Sequence, residues 1–174
     1  MTKKTVWLYS QENTCPLCGT RFPSEKVLSR KIAPRAIGEG LRNIYDENAD
    51  HPDPILYSIT VCPKCLFSAF EADFARATIN SAGFKNASSE SRSVLAALSL
   101  LPGHFLEPRT VLTGLASYFL ASLWYQHREK FPIRNLRRAM SAYRRVWFLD
   151  PAGRLGADPS LQDIPETDRA RYRL

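Results

Sequence analysis

An α+β fold is predicted, built as a small zinc-ribbon-like β region followed by an α-helical hairpin. Three observations lead there. "TCPLCGTRF" (residues 14–22) and "VCPKCLFSAF" (residues 61–70) hold the chain's four cysteines, as Cys15/Cys18 and Cys62/Cys65. A strand-like segment precedes each pair: Thr5–Ser10 (TVWLYS) and Ile55–Val61 (ILYSITV), the second alternating Ile55, Tyr57, Ile59 and Val61 with smaller or polar residues. Beyond Cys65 the apolar period changes from two to that of a helix.

Taken in order, Lys26–Ile32 suits the second strand of the first hairpin. Ile37–Glu47 is a weak helix candidate, interrupted by two glycines. Asp50, Pro52, Asp53 and Pro54 read as turn. A helix is expected from about Leu66 to Asn80, with Phe67, Phe70, Phe74 and Ala77 on one face and Phe70 and Phe74 placed to stack on the ribbon. "NSAGFKNASS" reads as a linker, with Ser88 or Ser89 capping a short helix that reaches about Leu100. Residues 110–127 form a helix buried mainly along one face, Leu112, Leu115, Phe119 and Leu123, with Pro108 suited to its first turn. Pro132 opens a further helix whose apolar face is Ile133, Leu136, Met140, Tyr143 and Trp147. The short connection predicts an αα-hairpin. The expected organisation is a ribbon region at 1–80, a helical region at 81–150 and a partly mobile tail at 151–174.

Paired cysteines three apart can aim two sulfurs at one ion, because the turn between them is tight and its amides point at the thiolates. Two such turns supply the four thiolates that tetrahedral zinc takes. Gly19 provides the positive φ that closes such a turn. The 43 residues between the pairs matter little, since closure entropy grows only with the logarithm of loop length. The expected cofactor is one structural zinc per chain on Cys15, Cys18, Cys62 and Cys65. Competing chemistries are a redox or disulfide pair and an iron–sulfur centre. A thioredoxin-like site needs one CxxC in a strand–helix alternation, and that pattern is absent. Four thiolates leave no open position for catalytic water. His51 could stand in for a cysteine, but its Asp/Pro-rich surroundings read as a solvated loop. His104 reads as a loop residue.

At 174 residues, with 44% apolar and 24% charged residues, the composition is that of a globular chain. The N-terminal stretch lacks the apolar run of about 7–15 residues of a secretory signal, so a cytoplasmic location is expected, where thiols stay reduced. Residues 110–127 carry no Asp, Glu, Lys or Arg, a run of 18; their polar residues favour a buried helix over a membrane span. The net charge of +7 is concentrated at 128–145, where seven cationic side chains face Glu129 alone. Arg134, Arg137, Arg138, Arg144 and Arg145 form a candidate patch for an anionic partner.

The runs "TCPLCGTRF", "ILYSITVCPKCLFSAFEADF", "ASYFLASLWYQHRE" and "RRAMSAYRRVWFLD" resemble the bacterial domain-of-unknown-function family 2225 over about residues 12–150. The resemblance implies a zinc ribbon joined to a tetratricopeptide-like helical hairpin, and it brings no established activity. Leu66 stands where the family often has glycine, which implies a less regular second turn.

The sequence lacks a phosphate loop, G-x-S-x-G, H-E-x-x-H and a dinucleotide turn. The expectation is a non-enzymatic zinc-binding module whose helical part engages a protein partner. Nucleic-acid binding through the ribbon and the arginine helix is the alternative. An enzyme would have to draw its acid–base groups from Glu71 and Asp73, and acidic residues on a helix are usually solvated.

Overall fold

Two cysteine-tipped hairpins and a helical layer share one apolar core. The computed structural model of the chain describes residues 7–28, 30, 32–38, 43–45, 51–128, 130 and 132–149; the 151–174 tail lies outside them. The α+β class holds.

In the first hairpin β1 (Leu8–Thr14) runs antiparallel to β2 (Arg21–Val27), with Thr14 opposite Arg21. In the second, β5 (Ile59–Val61) pairs with β6 (Ser68–Phe70), with Val61 opposite Ser68. A short third pair joins β3 (Ala36–Ile37) to β4 (Asn43–Ile44). Several expected boundaries move for one reason: each cysteine turn reverses the chain at once, so the strands abut it. The first strand continues to Thr14, beyond Ser10. Its partner is Arg21–Val27, so Lys26–Ile32 is not the second strand. Only Ile59–Val61 of the Ile55–Val61 segment is strand. Pro54–Tyr57 is a 3-10 turn, fixed by Pro54 and by Asp53 Oδ1 accepting from the Ile55 amide at 3.0 Å. The described part of the 37–47 helix candidate carries β3 and β4 residues, consistent with its glycines disfavouring helix.

The Leu66–Asn80 helix shrinks to α1 (Glu71–Phe74), because the backbone just after Cys65 is committed to pairing with β5. Phe74 does stack on the ribbon, edge-on to Phe22 with centroids 6.0 Å apart. The "NSAGFKNASS" linker is instead the start of α2 (Ser81–Ala97), capped by Asn80, whose Oδ1 accepts from the Gly83 amide at 2.6 Å. Ser88 lies in its buried face. Cap and burial together override the weak helix propensity of Ser and Gly.

α3 (Val111–Gln126) starts from a reciprocal cap between Thr110 and Thr113, so Pro108 precedes the helix and is not in its first turn. The helix is buried on nearly every side, from Leu112 through Ser122 and again at Trp124 and Tyr125, not along one face. Its polar residues cost little because Ser117 and Ser122 donate to backbone carbonyls of Gly114 and Phe119 at 2.6 and 2.7 Å. Small residues let neighbours come close. A Cβ on Gly114 would stand 2.7 Å from Leu56 Cδ2 and 3.4 Å from Leu56 Cα. Gly114→Val is therefore expected to cost about 1–3 kcal/mol by overpacking, readable as a lower urea midpoint with unchanged m-value. Among the described residues no helix is long and apolar enough to cross a membrane.

α4 (Pro132–Leu149) packs on α3 as expected, with Pro132 at its start. Its buried face, however, is Asn135, Ala139, Ala142, Val146 and Leu149. Four residues of the expected apolar face are outside, Ile133, Leu136, Met140 and Tyr143 being 70%, 62%, 63% and 39% exposed; the Trp147 side chain lies outside those described. Close helix–helix packing selects the small side chains, and Asn135 Nδ2 caps the arrangement by donating to the Lys130 and Arg128 carbonyls at 2.7 and 3.3 Å.

Candidate metal centre

Each hairpin tip is the same five-residue knuckle. In the first, Gly19 N donates to Cys15 O and Cys15 N to Thr20 O, both at 2.9 Å. In the second, Leu66 N donates to Cys62 O and Cys62 N to Phe67 O, again both at 2.9 Å. The fifth residue is left-handed in both, φ +71° at Gly19 and +63° at Leu66. The second turn is therefore as regular as the first, contrary to the expectation raised by Leu66. Leu66 sits in a region that costs an L-residue roughly 1–2 kcal/mol, and it is held there by burial, since only 2% of it is exposed. Leu66→Gly would relieve the strain but empty a core site worth about 2–5 kcal/mol. The expected net result is a lower melting temperature; a rise would show that the strain outweighs the packing.

The two knuckles face each other. All four Sγ atoms lie within 4.8 Å of one another, and the shortest approaches run between hairpins, Cys15 to Cys65 and Cys18 to Cys62, each at 3.6 Å. A disulfide needs about 2.05 Å, and the four cysteines are free. Tetrahedral zinc with Zn–S bonds near 2.3 Å sets its sulfurs about 3.8 Å apart, so the donor set fits a four-coordinate ion. Cys15, Cys62 and Cys65 are buried; Cys18 is the partly exposed edge, with Thr20 Oγ1 3.3 Å from its sulfur. Backbone amides point inward: those of Leu17 and Cys18 at Cys15, and those of Lys64 and Cys65 at Cys62. Without an ion the cluster shares its protons unevenly. Hydrogen bonds from Cys15 and Cys65 pull the Cys62 thiol well below its usual range; the hydrogen bond with Cys62 and burial push Cys15 up, and those with Cys15 and Cys62, with burial, push Cys65 up. A cation entering the cluster must displace those protons, so its retention weakens in acid.

His51 is no part of this cluster. It lies edge-on to Trp7 and Tyr45, with centroids 5.6 and 5.9 Å away, and its Nδ1 is 3.2 Å from Pro52 O. His104 Nδ1 accepts from the Leu101 amide at 3.2 Å within a 3-10 turn.

The structure brings Asp73 to a second focus that the sequence did not reveal. Asp73 is 4% exposed. Its Oδ1 pairs with Arg134 Nη2 at 2.6 Å, and its Oδ2 takes Arg138 Nε at 2.9 Å and the Tyr125 hydroxyl at 2.8 Å. Tyr125 Oη in turn accepts from the Phe70 amide at 3.2 Å. Arg128 Nη2 donates to the Asp73 carbonyl at 3.0 Å. One carboxylate thus joins β6, α1, α3 and α4. Burial raises the Asp73 pKa, but the Tyr125 hydrogen bond and the Arg138 and Arg134 charges outweigh it, leaving the group below the usual carboxylate range. Both oxygens imagined for acid–base work are committed to these partners, while Glu71 is 57% exposed and 3.7 Å from the buried Lys26.

The five patch arginines divide accordingly. Arg134 and Arg138 turn to Asp73, and Arg145 lies over the Phe70 ring at 4.9 Å and hydrogen-bonds Ser141. Arg137 and Arg144 are exposed on another side of the helix, Arg144 lying over the Phe148 ring at 5.6 Å. Lys26 was also missed: its Nζ donates to Thr60 Oγ1 at 2.8 Å, tying the first hairpin to the second.

Fold and site define a class: paired cysteine knuckles with an αα-hairpin docked on them. The chain belongs to the bacterial family described as "Uncharacterized protein conserved in bacteria (DUF2225)", which it matches over residues 8–162. It is 33% identical over 149 residues to an uncharacterized protein of Borreliella burgdorferi (strain ATCC 35210 / DSM 4680 / CIP 102532 / B31), covering 83% of this chain and 53% of the relative. The chain thus spans about half the length of that relative. No solved structure matches it.

Proposed function

We propose that Cys15, Cys18, Cys62 and Cys65 hold one structural zinc ion per chain, and that the chain is a non-enzymatic, cytoplasmic binding module. Its tetratricopeptide-like helical part engages a protein partner. The convergence of four sulfurs from two hairpins carries the reading. A bound ion would staple the two knuckles, and a four-sulfur sphere leaves no site for an activated water. The ribbon then serves as the base on which Asp73 fixes α4.

Chain purified from its native host without added metal should carry one zinc and retain a specific polypeptide. Nucleic-acid binding is the competing reading. It rests on the ribbon and on the arginine-rich helix, where most of the +7 charge is concentrated, and requires affinity for mixed-sequence DNA or RNA at about 50 mM salt that falls steeply by 200 mM. Retention of nucleic acid without any polypeptide would replace the protein-partner reading.

A further inference from the structure

We propose that the outer face of α4 is a docking seam for an amphipathic helix with acidic flanks, supplied by another polypeptide. The proposal deepens the protein-partner reading above and rests on it. Ile133, Leu136, Met140 and Tyr143 are spaced three, four and three residues apart, and the sequence continues the spacing at Trp147. This is the a/d repeat of a coiled-coil seam. It is narrow, as a helix partner requires, where a membrane-lying helix presents a broad apolar face. The first three of these side chains are each more than 60% exposed, and Tyr143 is anchored edge-on to Phe119, with centroids 6.0 Å apart. An apolar stripe left outside by a helix that buries its alanines is a surface built for contact.

Charge selects the occupant. In this register Arg137 and Arg144 both fall at e, the position that sets partner choice through interhelical ion pairs. Both are exposed, and α4 contains no Asp or Glu from Pro132 to Leu149. The g positions are Ala139 and Val146, already buried. A second copy therefore offers no complement: antiparallel pairing sets arginine against arginine, and parallel pairing sets arginine against Ala139 or Val146. A partner helix with Glu or Asp beside its apolar seam sets carboxylates against both exposed guanidinium groups, that of Arg144 lying also over the Phe148 ring at 5.6 Å.

The test uses the full chain and a synthetic three-heptad peptide with Leu at a and d and Glu at e and g; the glutamates keep the peptide from pairing with itself. A counterpart carries Lys at those flanks. Fluorescence anisotropy should show the acidic peptide binding at least tenfold tighter than the lysine peptide, with an advantage that shrinks at high salt. Met140→Glu should abolish binding. The double change Arg137→Glu and Arg144→Glu should reverse the preference; all three sites are exposed, and circular dichroism checks that the fold persists. Equal binding of the two peptides, no binding, or full binding to Met140→Glu overturns the proposal. So does a Met140-dependent dimer in sedimentation, which assigns the seam to a second copy. Met140-dependent adsorption to anionic vesicles assigns it to a membrane surface. Acidic-peptide binding that appears only after Leu161→Asp and Ile164→Asp assigns it to the chain's own 151–174 segment. If a native polypeptide is retained equally by wild-type chain and Met140→Glu, the seam fails while the binding-module reading stands.

Discussion

Cys62→Ser is expected to purify with far less than one zinc per chain and to melt well below the wild type. Cys62 is fully buried at the point where both knuckles meet, with its sulfur 3.6 Å from that of Cys18. Structural zinc contributes about 10–16 kcal/mol of apparent free energy in small domains at neutral pH, and a folded domain has a net stability of only about 5–15 kcal/mol. Losing even part of a term that size would be enough to open the ribbon. A thiol-to-hydroxyl change in a buried site also has a packing cost. A chelator separates the two contributions, because metal-stripped wild type and Cys62→Ser should then melt close together. Unchanged zinc content and melting temperature in the variant would count directly against the site. Acid should act in the same direction: thiolates must be free of protons to bind, so zinc release accelerates as pH falls.

Asp73→Asn is expected to destabilise the chain by about 2–3 kcal/mol. That is below the 3–5 kcal/mol for breaking a fully buried pair, because the arginine partners reach solvent. Asparagine keeps the shape and can still meet Tyr125, so the loss isolates the charge. The pH dependence gives a second check. The folded-state pKa of Asp73 lies below that of the unfolded chain, near 3.9. Its contribution is therefore fully present above about pH 4 and is lost as pH falls through the folded value. The stability gap between wild type and Asp73→Asn should be flat near neutrality and close in strong acid. A constant gap would show that the ion pairs carry none of it.

These two sites were not equally readable from sequence. The cysteines announce themselves because a turn that aims two sulfurs at one point imposes a spacing on the chain, and Gly19 marks the left-handed close of the first turn. Leu66 conceals the same turn, since a buried leucine held at positive φ leaves no sequence signature. Asp73 looked solvated because its partners, Arg134 and Arg138, are 61 and 65 residues away, and no local period encodes a long-range ion pair. The α4 error has a similar origin. Periodicity finds the large apolar stripe at Ile133, Leu136, Met140 and Tyr143, but close packing against α3 chose the stripe of Asn135, Ala139 and Ala142. The absence of any acid along an arginine-rich helix was the available clue that some arginines have partners elsewhere. At "NSAGFKNASS", weak propensities suggested a linker; the Asn80 cap and burial against the core made a helix.

The most direct test of the account is zinc X-ray absorption on chain purified without added metal, read together with elemental analysis. One zinc per chain, ligated by four sulfurs at about 2.3 Å, is the expected result. A shell containing nitrogen or oxygen ligands, a metal-free chain that is fully folded, or a Cys15–Cys18 or Cys62–Cys65 disulfide in the native protein would contradict it.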